Sequence, residues 1–210
     1  MDVRSVLTLC GLTDAHFEVL ATAVPEGYLA LRELVKATPM LRQFPGQKSV
    51  CYLRNVAVQY ALEQRAAETK LFYTDTGTHP INKQGFLKLQ VGQLVITSQY
   101  CGPNGSRAVR KAIRRAELCQ RIPDLFKESS EDPDVQVETK SGYAQLIHGG
   151  MNEPVLSALR IPNHYQGESR LAPMVLPIIN PNHVAVEQIK DQLMEAFEKK
   201  VRKGEQKDAG

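Results

Sequence analysis

Close cysteine pairs are missing from this sequence. Cys10, Cys51, Cys101 and Cys119 stand far apart, without the short spacing that a zinc knuckle or a thioredoxin-type redox site requires, so reduced structural thiols are expected. Long apolar runs are missing too, and no segment approaches the ~20 residues that a membrane-crossing helix needs. The opening stretch 1–12 holds one short apolar run, with little positive charge before it and no small-residue cleavage signal, which does not fit a secretory leader. These absences predict a cytoplasmic protein with no membrane partner. Strong net charge is a third absence: 26 basic and 23 acidic side chains leave +3 at pH 7. Attraction for a polyanion must then come from local clustering. A Gly-Lys-Ser/Thr phosphate loop, a Gly-x-Ser-x-Gly nucleophile elbow and an internal repeat are also lacking, which takes support away from nucleotide hydrolysis and from elbow-serine hydrolases.

What is present is ordinary globular material, 42% hydrophobic and 23% charged, enough to build a substantial core. The pattern divides into a helical N-terminal layer at 1–70, an α+β sheet region at 71–202 belonging to the same domain, and a polar tail at 203–210. That tail has no apolar anchor to offset the entropy of ordering, so it is expected to be disordered.

Thr13 and Asp14 precede Phe17, Leu20, Ala21 and Val24, a cap signal followed by helical spacing, with Pro25 expected to stop the helix after about three turns. Leu29, Leu31, Leu34 and Val35 predict a second short helix before Pro39. A third, starting at Ser49 and apolar on most sides through Leu62, is expected to be central. Residues Leu71–Thr74, Phe86–Val91 and Gln93–Tyr100 read as antiparallel strands. On the last of these, Leu94, Ile96, Ser98 and Tyr100 share a face that runs from apolar to polar. Val135–Lys140 and Tyr143–His148 flank Ser141-Gly142 as a predicted hairpin, and Leu156–Ile161 and Met174–Ile179 supply further strands, the last an edge because of Pro173 and Pro177. Asn182 caps a final helix with an apolar stripe of Val186, Ile189, Leu193, Phe197 and Val201, expected to dock or to join two copies of the chain. The fold class is therefore α+β: a helical layer on an antiparallel or mixed sheet, with a basic central helix and a C-terminal amphipathic helix.

The basic helix is the most informative stretch. Val109, Ala112, Ile113 and Ala116 form its inward stripe, leaving Arg107, Arg110, Lys111, Arg114 and Arg121 outward. Gly102-Pro103-Asn104-Gly105 precedes it, and Ser106 can cap it, so that first-turn amides and arginine side chains can meet one anion. The alternative is a solvated face paired to Glu128, Glu131, Asp132 and Asp134. The preferred reading is a non-catalytic recognition or regulatory protein that binds nucleic acid through this face, since forked guanidinium donors suit a run of phosphates. A structural alternative has the same face meeting an acidic protein surface.

The Gly102–Gly105 loop resembles the glycine-x-x-glycine loop of KH RNA-binding domains, although a strand precedes it here and the later apolar register differs. A second pattern, Asp124, Asp134 and Glu138-Thr139-Lys140, resembles the acidic and Glu-x-Lys motif of restriction-endonuclease-like nucleases. That resemblance implies an enzyme alternative, with Asp124, Asp134 and Glu138 holding Mg2+ or Mn2+ and Lys140 acting on the attacking water; the preferred reading carries no metal or other cofactor. His148-Gly149-Gly150 is similar to the oxyanion loop of some esterases. A strand-end histidine followed by a glycine turn accounts for it better. His16, His79, His164 and His183 are too dispersed to nominate a metal site, and the last three are expected at the surface.

Overall fold

A computed structural model describes residues 2–43, 46–78, 85–105, 118, 142–162 and 171–208, apart from the side chains of 196 and 199–208. The fold is α+β, with five helices and a mixed six-stranded sheet among the described residues. The helices are α1 (Val3–Leu9), α2 (Asp14–Ala37), α3 (Pro39–Arg42), α4 (Gly46–Thr69) and α5 (His183–Asp208). The strands are β1 (Tyr73–Thr78), β2 (Gly85–Val91), β3 (Leu94–Tyr100), β4 (Gly142–Gly150), β5 (Pro154–Arg160) and β6 (Met174–Val175).

The two helices predicted on either side of Pro25 are a single element. α2 begins in a capping box in which the Thr13 amide donates to Nδ1 of His16 at 3.1 Å, then runs straight through Pro25. Proline removes one helical hydrogen bond and costs about 3 kcal/mol in a helix interior. Leu20, Val24, Tyr28, Leu31 and Leu34 are all buried across that point, and each large apolar side chain returns roughly 1.5–3 kcal/mol on burial. Tertiary packing therefore overrides the local stop signal.

α4 starts three residues before the predicted Ser49 and lies alongside α2. Their closest approach is at Gly27, where an added Cβ would stand 2.8 Å from both Cα and N of Val58, so no side chain fits between the two backbones. Ala57 and Ala61 keep the facing side of α4 small and buried. α5 packs across both helices, with Asn182 Oδ1 accepting from the Val184 amide at 3.0 Å as the expected cap. Val186, Ile189 and Leu193 are buried there, so of the two expectations for this stripe the described residues show docking within the chain. The helix backbone continues through 203–208.

Strand order follows chain order from β1 to β6. All neighbours are antiparallel except β3 and β4, which run parallel from Leu94↔Gly142 to Tyr100↔His148. The first strand of the predicted hairpin, 135–140, and Ser141 lie outside the described residues; β4 itself has β3 on one edge from Gly142 and β5 on the other from Gln145 onward. A parallel pair needs a crossover instead of a tight turn, and here the crossover is 101–141. Every residue of β4 is buried, as expected for a central strand covered on both faces. β6 is the predicted edge. α4 lies over β1, β2 and β3 and α2 over β5, which brings the middles of both helices above the C-terminal ends of the parallel strands.

Candidate functional site

Polar side chains go inside where β3 and β4 end. Alternation along β3 turns Leu94, Ile96, Ser98 and Tyr100 toward one face, and the parallel register sets Ala144, Leu146 and His148 beside the last three. The apolar-to-polar face read from the sequence is thus extended onto a second strand. At its polar end, Asn55 of α4 presents Oδ1 to Nε2 of His148 at 3.2 Å and to the Ser98 hydroxyl at 3.4 Å. A carboxamide oxygen only accepts, so Nε2 of His148 carries the proton. Its Nδ1 then accepts from the Tyr28 hydroxyl at 3.2 Å. Tyr28 also meets the imidazole edge-on, with ring centroids 5.7 Å apart.

His148 is 0% exposed. Burial, reinforced by the nearby charge of Arg54, pushes its pKa from 6.5 down to about 3. The imidazole is neutral at physiological pH with both nitrogens engaged, so it serves as a structural link and not as a general base. Burial likewise raises the Tyr28 phenol, with Tyr100 adding to the shift and Arg54 opposing it, and keeps that hydroxyl a donor.

Arg54 is 6% exposed. Its Nε donates to the Met151 carbonyl at 2.7 Å, and its Nη1 donates to the Tyr100 hydroxyl at 3.2 Å and to Sγ of Cys51 at 3.6 Å. The guanidinium carbon also lies 5.5 Å from the Tyr100 ring centroid. Tyr100 in turn donates to the Gly150 carbonyl at 3.1 Å. Among the described residues, every partner of Arg54 is neutral.

The start of the crossover is fastened to the same place. The Cys101 amide donates to the His148 carbonyl at 2.7 Å, and the Gly150 amide to the Gly102 carbonyl at 3.1 Å. A Cβ on Gly149 would stand 2.3 Å from Cα of Gly105, so this contact is available only to glycine. The Gly102–Gly105 loop therefore delivers the chain to residue 106 from a fixed position. With the Gly150 amide already occupied, the His148-Gly149-Gly150 stretch fits the strand-end reading and not an oxyanion loop.

The predicted polyanion-binding residues Ser106, Arg107, Arg110, Lys111, Arg114 and Arg121 lie outside the described residues, as do Asp124, Asp134, Glu138 and Lys140 of the nuclease alternative. Among the described residues, no three His, Cys, Asp or Glu side chains gather as a metal site. His183 is exposed as expected, whereas His79 and His164 are outside the described set. Tyr28, Arg54 and Asn55 were not singled out from sequence. Arg54 did carry a signal, because it falls four residues after Val50 and three before Ala57, inside an apolar stripe where a charge is out of place. No protein-family model, curated protein or solved structure matches the chain.

Proposed function

We propose that this is a non-catalytic intracellular recognition protein that binds nucleic acid through the stretch from Ser106 to Arg121. The observation that carries the reading is the concentration of Arg107, Arg110, Lys111, Arg114 and Arg115 within nine residues of a chain whose net charge is only +3. Such a cluster dominates the local field. Two structural features support it: the loop leading into the stretch is pinned to β4 through Gly149 and Gly150, and Arg54, whose partners among the described residues are all neutral, adds positive charge at the same end of the sheet.

The test is fluorescence anisotropy with labelled DNA and RNA at two salt concentrations, comparing the parent with a variant carrying Arg110→Ala, Lys111→Ala and Arg114→Ala. Affinity should fall as salt rises, and the variant should bind more weakly with a shallower salt dependence. Equal binding by both proteins would refute the assignment of the surface. The same samples incubated with Mg2+ or Mn2+ should show intact strands; cleavage that disappears in Glu138→Gln and Lys140→Ala would replace this reading with the nuclease.

A further inference from the structure

We propose that the cavity between α2, α4 and the β4–β5 turn is a binding site for a phosphomonoester group, with Arg54 as its anchor. The inference goes beyond the nucleic-acid reading and rests on different residues. The cavity measures about 260 Å³ and, among the described residues, is lined by three cations, Arg32, Lys36 and Arg54, and by no carboxylate.

Arg54 carries most of the argument. A buried charge costs several kcal/mol unless an opposite charge accompanies it, and among the described residues this guanidinium is met by a carbonyl, a phenol and a thiol and by no carboxylate. Arg32 borders the same cavity, ion-paired through Nη1 with Glu153 at 2.9 Å and through Nε with Glu33 at 3.7 Å, and its buried Nε makes no hydrogen bond. Lys36 stands at the mouth, paired with Glu33 at 2.8 Å. An arriving dianion would supply the countercharge that no described residue gives Arg54, and guanidinium groups present forked donors suited to phosphate oxygens.

The remaining walls select the rest of the ligand. Leu31, Val35 and Val50 make one side apolar, and a second cavity of about 340 Å³ shares Tyr28, Arg32 and Asn152 with the first and adds Pro25, Leu29 and Ile179. Ligand pockets commonly span about 300–1,000 Å³, so the first cavity takes a phosphate with little else. The neighbouring space, apolar on the side of Pro25, Leu29 and Ile179 and bordered also by Glu153, suits a compact organic group on the ester.

Isothermal titration calorimetry of the full chain with phenyl phosphate and with inorganic phosphate, at constant ionic strength set by chloride, tests the site. Both should bind one to one, phenyl phosphate at least about tenfold tighter, a difference of roughly 1.4 kcal/mol. Arg54→Met should abolish binding. Arg32→Gln, which alters a side chain near the surface and spares the fold, should weaken it several-fold even if the first variant fails to fold. Absence of saturable binding in the parent, or unchanged affinity in folded Arg32→Gln, would overturn the proposal. A second arm compares 5′-phosphorylated and 5′-hydroxyl oligonucleotides. Preference for the phosphorylated end, surviving in the Arg110, Lys111 and Arg114 variant but lost in Arg32→Gln, assigns the phosphate to a nucleic-acid terminus; phenyl phosphate binding without that preference assigns it to a small ester. Oligonucleotides that fail to bind while phenyl phosphate binds would defeat the nucleic-acid reading and leave this site standing.

Discussion

Arg65 and Arg54 sit on the same helix, eleven residues apart in sequence and therefore close to three turns apart on one side of α4, yet their surroundings are opposite. Arg65 donates Nε to Oε2 of Glu26 at 2.9 Å and Nη2 to Oε1 of the same carboxylate, and reaches Glu68 with Nη1 at 3.0 Å. Glu26 is 0% exposed and also accepts from the Asn182 amide at 3.1 Å, so the pair ties α2, α4 and the start of α5 together. Its hydrogen bonds raise the Arg65 pKa further, outweighing burial. Arg54, deeper and closer to the sheet, has only neutral partners among the described residues and borders a cavity. A buried charge that is neutralised inside the chain locks helices; one that no described carboxylate meets is the basis of the site proposed above.

That contrast is sharpest in the response to removing each charge. Arg65→Met leaves the carboxylate of Glu26 buried and unpaired, a loss of about 3–5 kcal/mol, to be read from urea unfolding at neutral pH. A loss below about 1 kcal/mol would mean that the pair is not what joins the helices. Next in size is the pH response beside Arg54. His148 has a folded pKa of about 3 against an ordinary 6.5, so the unfolded chain binds a proton that the folded chain refuses between those values. Stability attributable to this group is full above pH 6.5 and falls as pH drops toward 3, by up to about 1.4 kcal/mol per unit. In His148→Gln the slope in that window should flatten, and an unchanged slope would place the titration elsewhere. Smaller again is Arg54→Met. Removing an unpaired buried charge is favourable, while leaving the Met151 carbonyl without its donor costs about 1–3 kcal/mol, so the net change should stay within about 2 kcal/mol of the parent. A cost equal to that of Arg65→Met would erase the distinction between the two arginines. The smallest effect is a control on the same helix. Lys70, just past the C-terminus of α4, has φ 56°, a conformation that penalises a side chain, and Lys70→Gly should gain up to about 1 kcal/mol in thermal unfolding.

Much of this fold was legible in the chain because periodicity is a local property. The strands at 86–91 and 94–100, the Asn182 cap and the stripe through Leu193 follow from spacing alone. Pro25 misled because its cost is local while the burial of Tyr28, Leu31 and Leu34 that outweighs it is tertiary. The parallel partner of β4 was hidden for a related reason, since local spacing says nothing about which distant strand occupies an edge. The site was less legible still. Tyr28, Arg54, Asn55 and His148 come from three elements, and no spacing rule links them. What sequence offered was a charge within an apolar stripe, at Arg54 and again at Glu26 between Ala23 and Ala30, which marks a buried ion but not its partner.

The parallel pairing of β3 with β4 also bears on how quickly the molecule can assemble. α2 and α4 are near neighbours in the chain, and β1, β2 and β3 meet in sequence order, so these parts can form with little loop closure. β4 reaches its place only after roughly forty intervening residues have been closed into a loop, an entropic cost paid before any ladder bond returns it. Because β4 is also the strand to which β5 and then β6 attach, half of the sheet waits on that one closure. Folding should therefore proceed as early formation of the helical layer with β1–β3, followed by a slower step governed by topology.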